Sequence, residues 1–341
     1  MLYAANTELE RLQGRLARHA NFGLKRAGGE GDLASAAWVR EELQAAGYTV
    51  ETTHSDVPWF EAKVAELHSG NTVAAVHPQP IVTPTGAGGV RGRLVSVRHV
   101  AEAPRTRGAI ALVVAPYARH ASIASPALGP LLTACAAAGA LAVVLVTTGP
   151  SGEAVLLNTP PDKPFVALPL AVLAPRESDP FIVAAAADAE ATLTVAGQGG
   201  RRPTPNLIAR LERGPKWLAL STPRTGWFTC ASERGNGIAA FLELAEWAAA
   251  RFPELSIFAL NTGGHEYGFI GTHDAIGEAP APGDTQLWVH LGSAMAARDM
   301  PAVGGRPAVL RSADSHRILM TTEDLKEQAK RAFAGLTGLE A

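Results

Sequence analysis

The chain has 341 residues, 47% of them hydrophobic and 18% charged, enough for two domains and a sizeable core, which sets a disordered or fibrous chain aside. A formal net charge of −2, with no run of Lys or Arg, leaves no field that would draw in nucleic acid or an anionic membrane, so neither is expected as a partner. The two cysteines, Cys135 and Cys230, lie in unrelated contexts and make neither a disulfide framework nor a CxxC metal knuckle.

The N-terminal "MLYAANTELERLQGRLARHA" is amphipathic and charged within ten residues, unlike a secretory leader, and no apolar run is long enough to span a bilayer, so the expected location is the cytoplasm. In "DLASAAWVREELQAAGYTVETTHSDV" the residues Leu33, Ala37, Val39 and Leu43 recur at helical spacing, Gly47 stops the helix, and "YTVETT" alternates as a strand. From about residue 62 to 200, short β-like runs ("TVAAV", "GRLVSV", "GAIALVVAP", "LAVVLVTT", "FVALPLAVL", "ATLTVAG") are separated by Gly and Pro. One strong helix, "LGPLLTACAAAGA", interrupts them and should bury Cys135. This texture predicts a separate, smaller and mostly β domain, closed by the polar, glycine-rich joint "GGRRPTP". Beyond it, "NLIARLE", "WLALST", "SIFALNT" and "QLWVHLG" alternate with the helical segments "GIAAFLELAEWAAARF" and "LKEQAKRAFAGL". That order predicts an α/β domain with a mostly parallel sheet covered by helices.

In open α/β sheets the functional crevice lies at the carboxyl ends of the strands, so the residues following those runs carry the chemical expectation. Glu233 and Arg234 precede or begin a helix whose free N–H groups favour an anion; the plainer reading of Glu233 is a cap-region carboxylate. In "TGGHEYGF" the adjacent His265 and Glu266 face opposite ways on an extended chain but reach one cavity on a tight turn. They would act as general base plus metal ligand, or as an orienting dyad, against the plainer reading of a satisfied polar turn. His290 follows "QLWV" and is read first as a hydrogen-bonded core residue. In "RSADSHRIL", Asp314 and His316 share a face on a strand and are merely solvated on a loop, the preferred reading. Cys230 would be a nucleophile only if paired with His265 near a helix N-terminus; a buried inert thiol is the leading alternative. Ser221 and Thr222 lack a GxSxG elbow, and Pro223 follows at once.

The order "PNLIARLE", a strand ending at "LALST", "ASERGNGIAAFLELAEWAA" and "SIFALNTGGHEYGFIGTHDAI" resembles the M28 family of zinc aminopeptidases. The middle segments "RGAIALVV" and "LLTACAAAGALAVVLVTT" are similar to the protease-associated (PA) domain often inserted there. The resemblance implies a zinc-exopeptidase-like α/β domain over 1–60 and 203–341, with a PA-like insertion over 61–202. It also implies a two-zinc site, whose ligands can be checked one by one. The family's His-x-Asp is here "STPR", Ser221 to Arg224, with neither histidine nor carboxylate. The zinc-bridging aspartate falls near Glu233, and the asparagine beside it becomes Arg234. His265 stands where the general base stands, and Glu266 keeps the ligand glutamate. The last strand reads "WVHLGSAM", offering His290 or Gly292 in place of an aspartate, and the final histidine would fall past residue 341.

A two-metal site needs roughly five oxygen and nitrogen ligands and enough anionic charge for two dications; a guanidinium beside Zn²⁺ is repelled by several kcal/mol at an effective dielectric of about 20. No cofactor is therefore expected, and zinc enters only through a mononuclear site of Glu266, Glu233 and His290. The leading expectation is a non-standard hydrolase acting on a small amide, peptide-like or carboxylate-bearing substrate. Its catalytic candidates are His265, Glu266, Glu233 and Cys230; its substrate-binding candidates are Arg234, Arg224, Ser221, Trp227 and His290. The alternatives are an inactive homologue that binds an anionic small-molecule or peptide-like ligand or a protein partner, and a mononuclear zinc aminopeptidase.

Overall fold

The computed structural model describes residues 2–292 without a break; residue 1 and positions 293–294, 296–297, 299–301, 304–305, 309, 315–316, 337–338 and 341 lie outside the description. Helices α1 (Leu2–Asn21) and α2 (Glu30–Ala45) lead into β1 (Thr49–Ser69) and β2 (Thr72–Pro78). Then come β3 (Val90–Val97), β4 (Ile110–Val114), α3 (Gly129–Ala138), β5 (Ala142–Val146), β6 (Leu170–Leu173), α4 (Asp179–Ala186) and β7 (Glu190–Leu211). The last third contributes β8 (Trp217–Pro223), α5 (Asn236–Arg251), β9 (Ser256–Thr262), α6 (Ile270–Ala275) and β10 (Thr285–His290). The predicted helix near 326 is present over Lys326–Ala332. Among the described residues no helix is long and apolar enough to cross a membrane.

These ten strands form one sheet, ordered β1-β2-β6-β5-β4-β3-β7-β9-β8-β10, with β1 also pairing with β7. One end is parallel through β9, β8 and β10, and a second parallel run joins β3, β4, β5 and β6. Because β7 pairs with both β3 and β1, the first seven strands close into a circuit. Period-two alternation fills both sides of its wall. Ile110, Leu112 and Val114 of β4 enter one core with Leu67, Leu94, Val144 and Phe181, while Ala111 and Val113 enter another with Leu131, Leu132 and Cys135 of α3.

In the α/β part, Leu207, Ala209, Leu218, Ile257 and Ala259 pack on Trp38, Val39 and Leu43 of α2 and on Ile238, Phe241 and Leu242 of α5. The opposite face holds a smaller cluster of Ile208, Ala219, Phe258 and Leu260 with Ala275 of α6. A sheet covered by helices was the expectation for this part.

Two expectations need correction. The joint "GGRRPTP" is the middle of β7, which pairs with β1 from Ala191 to Arg210. Gly197 sits so close to the Glu61 carbonyl that a Cβ would clash with it, and Pro203 and Pro205 fall where β7 has β1 on one side only. Glycine and proline here serve close strand approach and a missing donor rather than a turn. The strand "QLWVH" is not interior: among the described residues β10 pairs with β8 alone, and Leu287 and Trp288 are exposed.

His19 of α1 is fully buried against Ser35 of α2, with its Nδ1 3.2 Å from the Ser35 hydroxyl. Burial, aided by the charges of Lys25, Arg224 and Arg234, pushes its pKa down to about 3. A depressed folded-state pKa gives stability that is present above the unfolded value near 6.5 and lost as pH falls toward 3. Between pH 7 and 4.5 this group alone is expected to remove about 3 kcal/mol. His19→Gln should flatten that part of the decline in urea titrations at the two pH values; an unchanged slope would contradict it.

Candidate functional site

Strands β8 and β9 run parallel with Pro223 opposite Thr262, so the segments after them leave the sheet side by side. The Arg224 amide donates to the Thr262 carbonyl (2.8 Å), fastening the two exits. After β9 the chain turns at Gly264 (φ 67°), a conformation that disfavours any side chain, and the Tyr267 amide donates to the Gly264 carbonyl (3.1 Å). The turn ends at Phe269, itself left-handed at φ 62°, against whose ring the His265 imidazole stands edge-on at 4.5 Å.

This turn sends Glu266 inward. Its carboxylate is 1% exposed; Oε2 accepts from the Thr225 hydroxyl (2.8 Å), while the buried Oε1 has no partner among the described residues. Burial pushes its pKa up to about 7, against the opposing pull of Arg234 and the Thr225 hydrogen bond. His265 moves the other way: burial, then the charges of Arg234 and His290, take it down to about 3. The group poised near neutrality is thus the carboxyl, and the imidazole is neutral.

Arg234 lies in one turn of π-helix, Ala231–Gly235, that precedes α5; such turns are rare and often mark functional sites. Its guanidinium is 2% exposed and acts on His265, Glu266 and His290 together. Nε donates to the Thr225 carbonyl (2.8 Å), Nη1 to the Glu233 carbonyl (3.3 Å), and Nη2 pairs with Glu233 Oε1 (3.0 Å). Glu233 is half exposed and covers Arg234 from the solvent side.

Cys230 is held in the left-handed region (φ 52°) and buried, with Sγ 3.6 Å from Glu233 Oε2. Burial first, then Glu233, pushes the thiol up to about 12. It stays protonated, which removes the nucleophile reading, since only the thiolate attacks.

Ser221 and His290 lie opposite each other on β8 and β10, with Ser221 Oγ 2.9 Å from His290 Nδ1. Trp288 Nε1 donates to the same Oγ (2.7 Å), so the hydroxyl proton is free for Nδ1. His290 is therefore an exposed edge-strand residue tied to a serine rather than a core histidine.

Arg224 departs from its expected role. It is fully buried, with Nε on Asp32 (2.7 Å), Nη1 on Asn261 Oδ1 (2.6 Å) and Nη2 on the Pro205 carbonyl (2.6 Å), so it binds the fold and not a ligand. Trp227 is buried edge-on to Tyr267 (5.2 Å) and makes no hydrogen bond to the Arg234 group. Asp314 is buried in an ion pair with Arg119 rather than solvated, and His316 lies outside the described residues. Sequence reasoning missed Asp32, Thr225, His19 and the fully buried Lys25, whose Nζ donates to the Gly23 carbonyl (2.5 Å). An acidic residue in the first turn of α2 was the only advance signal for Asp32.

Among the described residues no three His, Cys, Asp or Glu side chains gather closely enough to hold a metal ion. The donors present do not fit a pair of zinc ions: Glu266 is bonded to a hydroxyl, Glu233 to a guanidinium, and Arg234 brings a permanent cation that acts on both.

No family model matches the sequence, and no curated protein does. Solved structures do. BSAP, a zinc aminopeptidase from Bacillus subtilis, superposes with a TM-score of 0.66 at 15% identity, over 83% of this chain and 69% of its own. The fold is that of the M28-type zinc aminopeptidases. The peptidase M28 precursor from Shewanella amazonensis gives 0.62 at 17% identity, over 80% and 70% of the two chains. An aminopeptidase from Aneurinibacillus sp. strain AM-1 gives 0.61 at 17%, over 85% and 71%. At these identities the likeness concerns the fold alone.

Proposed function

We propose that this protein is a metal-independent hydrolase of a small amide or peptide-like substrate bearing a carboxylate, acting in the crevice of Arg234, Glu266 and His265, with the closed seven-strand circuit as its PA-like module. The observation that carries this reading is Glu266: a buried carboxyl with an unpartnered Oε1 and a pKa near 7, beside a buried guanidinium. A group that titrates near working pH can both take and return a proton. Water attacks the amide carbon while its proton passes to Glu266 Oε1; the C–N bond then breaks and the same proton goes to the departing amine. Among the described residues three of the five N–H groups of Arg234 are engaged, and the other two would hold the oxyanion or the substrate carboxylate. His265, neutral across the physiological range, orients the substrate rather than serving as base.

The decisive experiment is turnover of an aminoacyl and amide library by chelator-treated protein. Arg234→Ala should lower kcat by about 10²–10³, the usual effect of removing an oxyanion donor, with Arg234→Lys recovering part. Turnover that needs added zinc, or that survives Arg234→Ala unchanged, would overturn the reading. A second reading, a ligand-binding protein without turnover, is favoured by the protonated Cys230 and the weakly basic His265. It is the outcome if the library is untouched while carboxylate binding still depends on Arg234.

A further inference from the structure

A cavity of about 700 Å³ has Trp227 and Tyr267 among its walls but none of Arg234, His265 or Glu266. It lies between the loop joining α1 to α2, the Pro58–Ala65 stretch of β1 and the end of β2. Its size is that of pockets that enclose small organic ligands. Two half-buried arginines line it. Arg202 donates Nε to the Ala27 carbonyl (2.8 Å) and sits 5.8 Å from the Trp59 ring; Arg26 donates Nε to the Trp227 carbonyl at 3.4 Å. Neither arginine has a carboxylate at ion-pair distance among the described residues. Asp32, the nearby buried anion, is already occupied by Arg224, Thr204 and the Gly28 amide.

A guanidinium partly withdrawn from water without a counter-ion at ion-pair distance favours an anion, and burial pushes Arg202 down from its ordinary pKa. The indole nitrogen of Trp227, 6% exposed, is a further donor with no acceptor among the described residues. The remaining wall is mostly aromatic and aliphatic, with Phe22, Phe60 and Ile81 beside Tyr267, and includes His77. Two exposed glutamates, Glu30 and Glu61, also border the cavity and oppose a multiply charged guest such as a phosphate ester.

We propose that this cavity is a second ligand site, separate from the crevice of Arg234, that takes a small monocarboxylate with an aromatic body: the carboxylate on Arg26 and Arg202, the ring against Trp59, Phe60 and Tyr267. It does not depend on the hydrolase reading. The test is titration of the full chain with 3-phenylpropionate and indole-3-acetate, followed by calorimetry, with 3-phenylpropionamide as the neutral control. Saturable one-to-one binding is expected, at least about tenfold tighter for the acids than for the amide, and weakened about tenfold by Arg26→Gln and by Arg202→Gln. Because Arg202 also holds the Ala27 carbonyl, Arg202→Lys accompanies it and should retain most of the affinity. Arg234→Ala should leave the binding unchanged. The proposal is overturned if neither acid saturates at millimolar concentration, if acid and amide bind alike, if Arg26→Gln has no effect, or if Arg234→Ala abolishes binding.

Discussion

Arg224→Met should destabilise the protein by about 3–5 kcal/mol, the range seen when one partner of a buried ion pair is removed. Arg224 and Asp32 are both fully buried, and the guanidinium also holds Asn261 of β9 and the Pro205 carbonyl of β7. Asp32 in turn receives the Gly28 amide (2.7 Å) and the Thr204 hydroxyl (2.6 Å). Methionine fills much of the volume but leaves a carboxylate with no cation in a dry interior, and that uncompensated charge dominates the loss. Arg224→Met with Asp32→Asn should recover much of it, because replacing a whole buried pair is often close to neutral. Urea denaturation of the two variants measures both effects; a loss below about 1 kcal/mol for the single variant would show that the pair is not the tie it looks to be.

Glu266→Gln should lower turnover by about 10²–10⁴, the usual contribution of a positioned acid–base group, and should change stability in a pH-dependent direction. The folded-state pKa of Glu266, about 7, lies above the 4.5 of an unperturbed glutamate. The folded chain therefore holds this proton more tightly than the unfolded chain. The resulting stability is fully present below pH 4.5 and is lost as pH rises through 7, by about 3 kcal/mol in all. Glutamine never ionises, so the variant should match wild type near pH 5 and exceed it near pH 8 in thermal melts. Wild-type activity should titrate with an apparent pKa near 7. A variant that melts below wild type at pH 8, or activity flat from pH 5 to 9, would contradict the assigned role.

Much of this arrangement is legible in the chain because it is local. Helical spacing marks α2 and α5, apolar runs mark β8 and β9, and the glycines of "TGGHEYG" announce the turn that aims Glu266. What was not legible is what depends on distant neighbours. Arg224 looks like a site cation until Asp32, 192 positions earlier, takes it. His265 and Glu266 carry ordinary reference pKa values in sequence; only burial beside Arg234 makes the imidazole a weak base and the carboxyl a neutral-range acid. "GGRRPTP" has the composition of a linker, and only its partner strand makes it extended. His290 sits in an apolar run, yet nothing in that run says that β10 has, among the described residues, a neighbour on one side alone.

The shared β1–β7 ladder sets the mechanics of the molecule. Its partners run from Thr49 and Arg210 to Ser69 and Ala191, and the register shifts only once, between Ala62 and Val64. At about 3.3 Å per residue this is a ribbon roughly 65 Å long, common to the closed circuit and to the sheet beneath the crevice. Such a ribbon resists swinging as a tether would swing. It yields by twisting and bending, most readily where the ladder slips, so any widening or narrowing of the crevice against the circuit is an elastic deformation of those two strands.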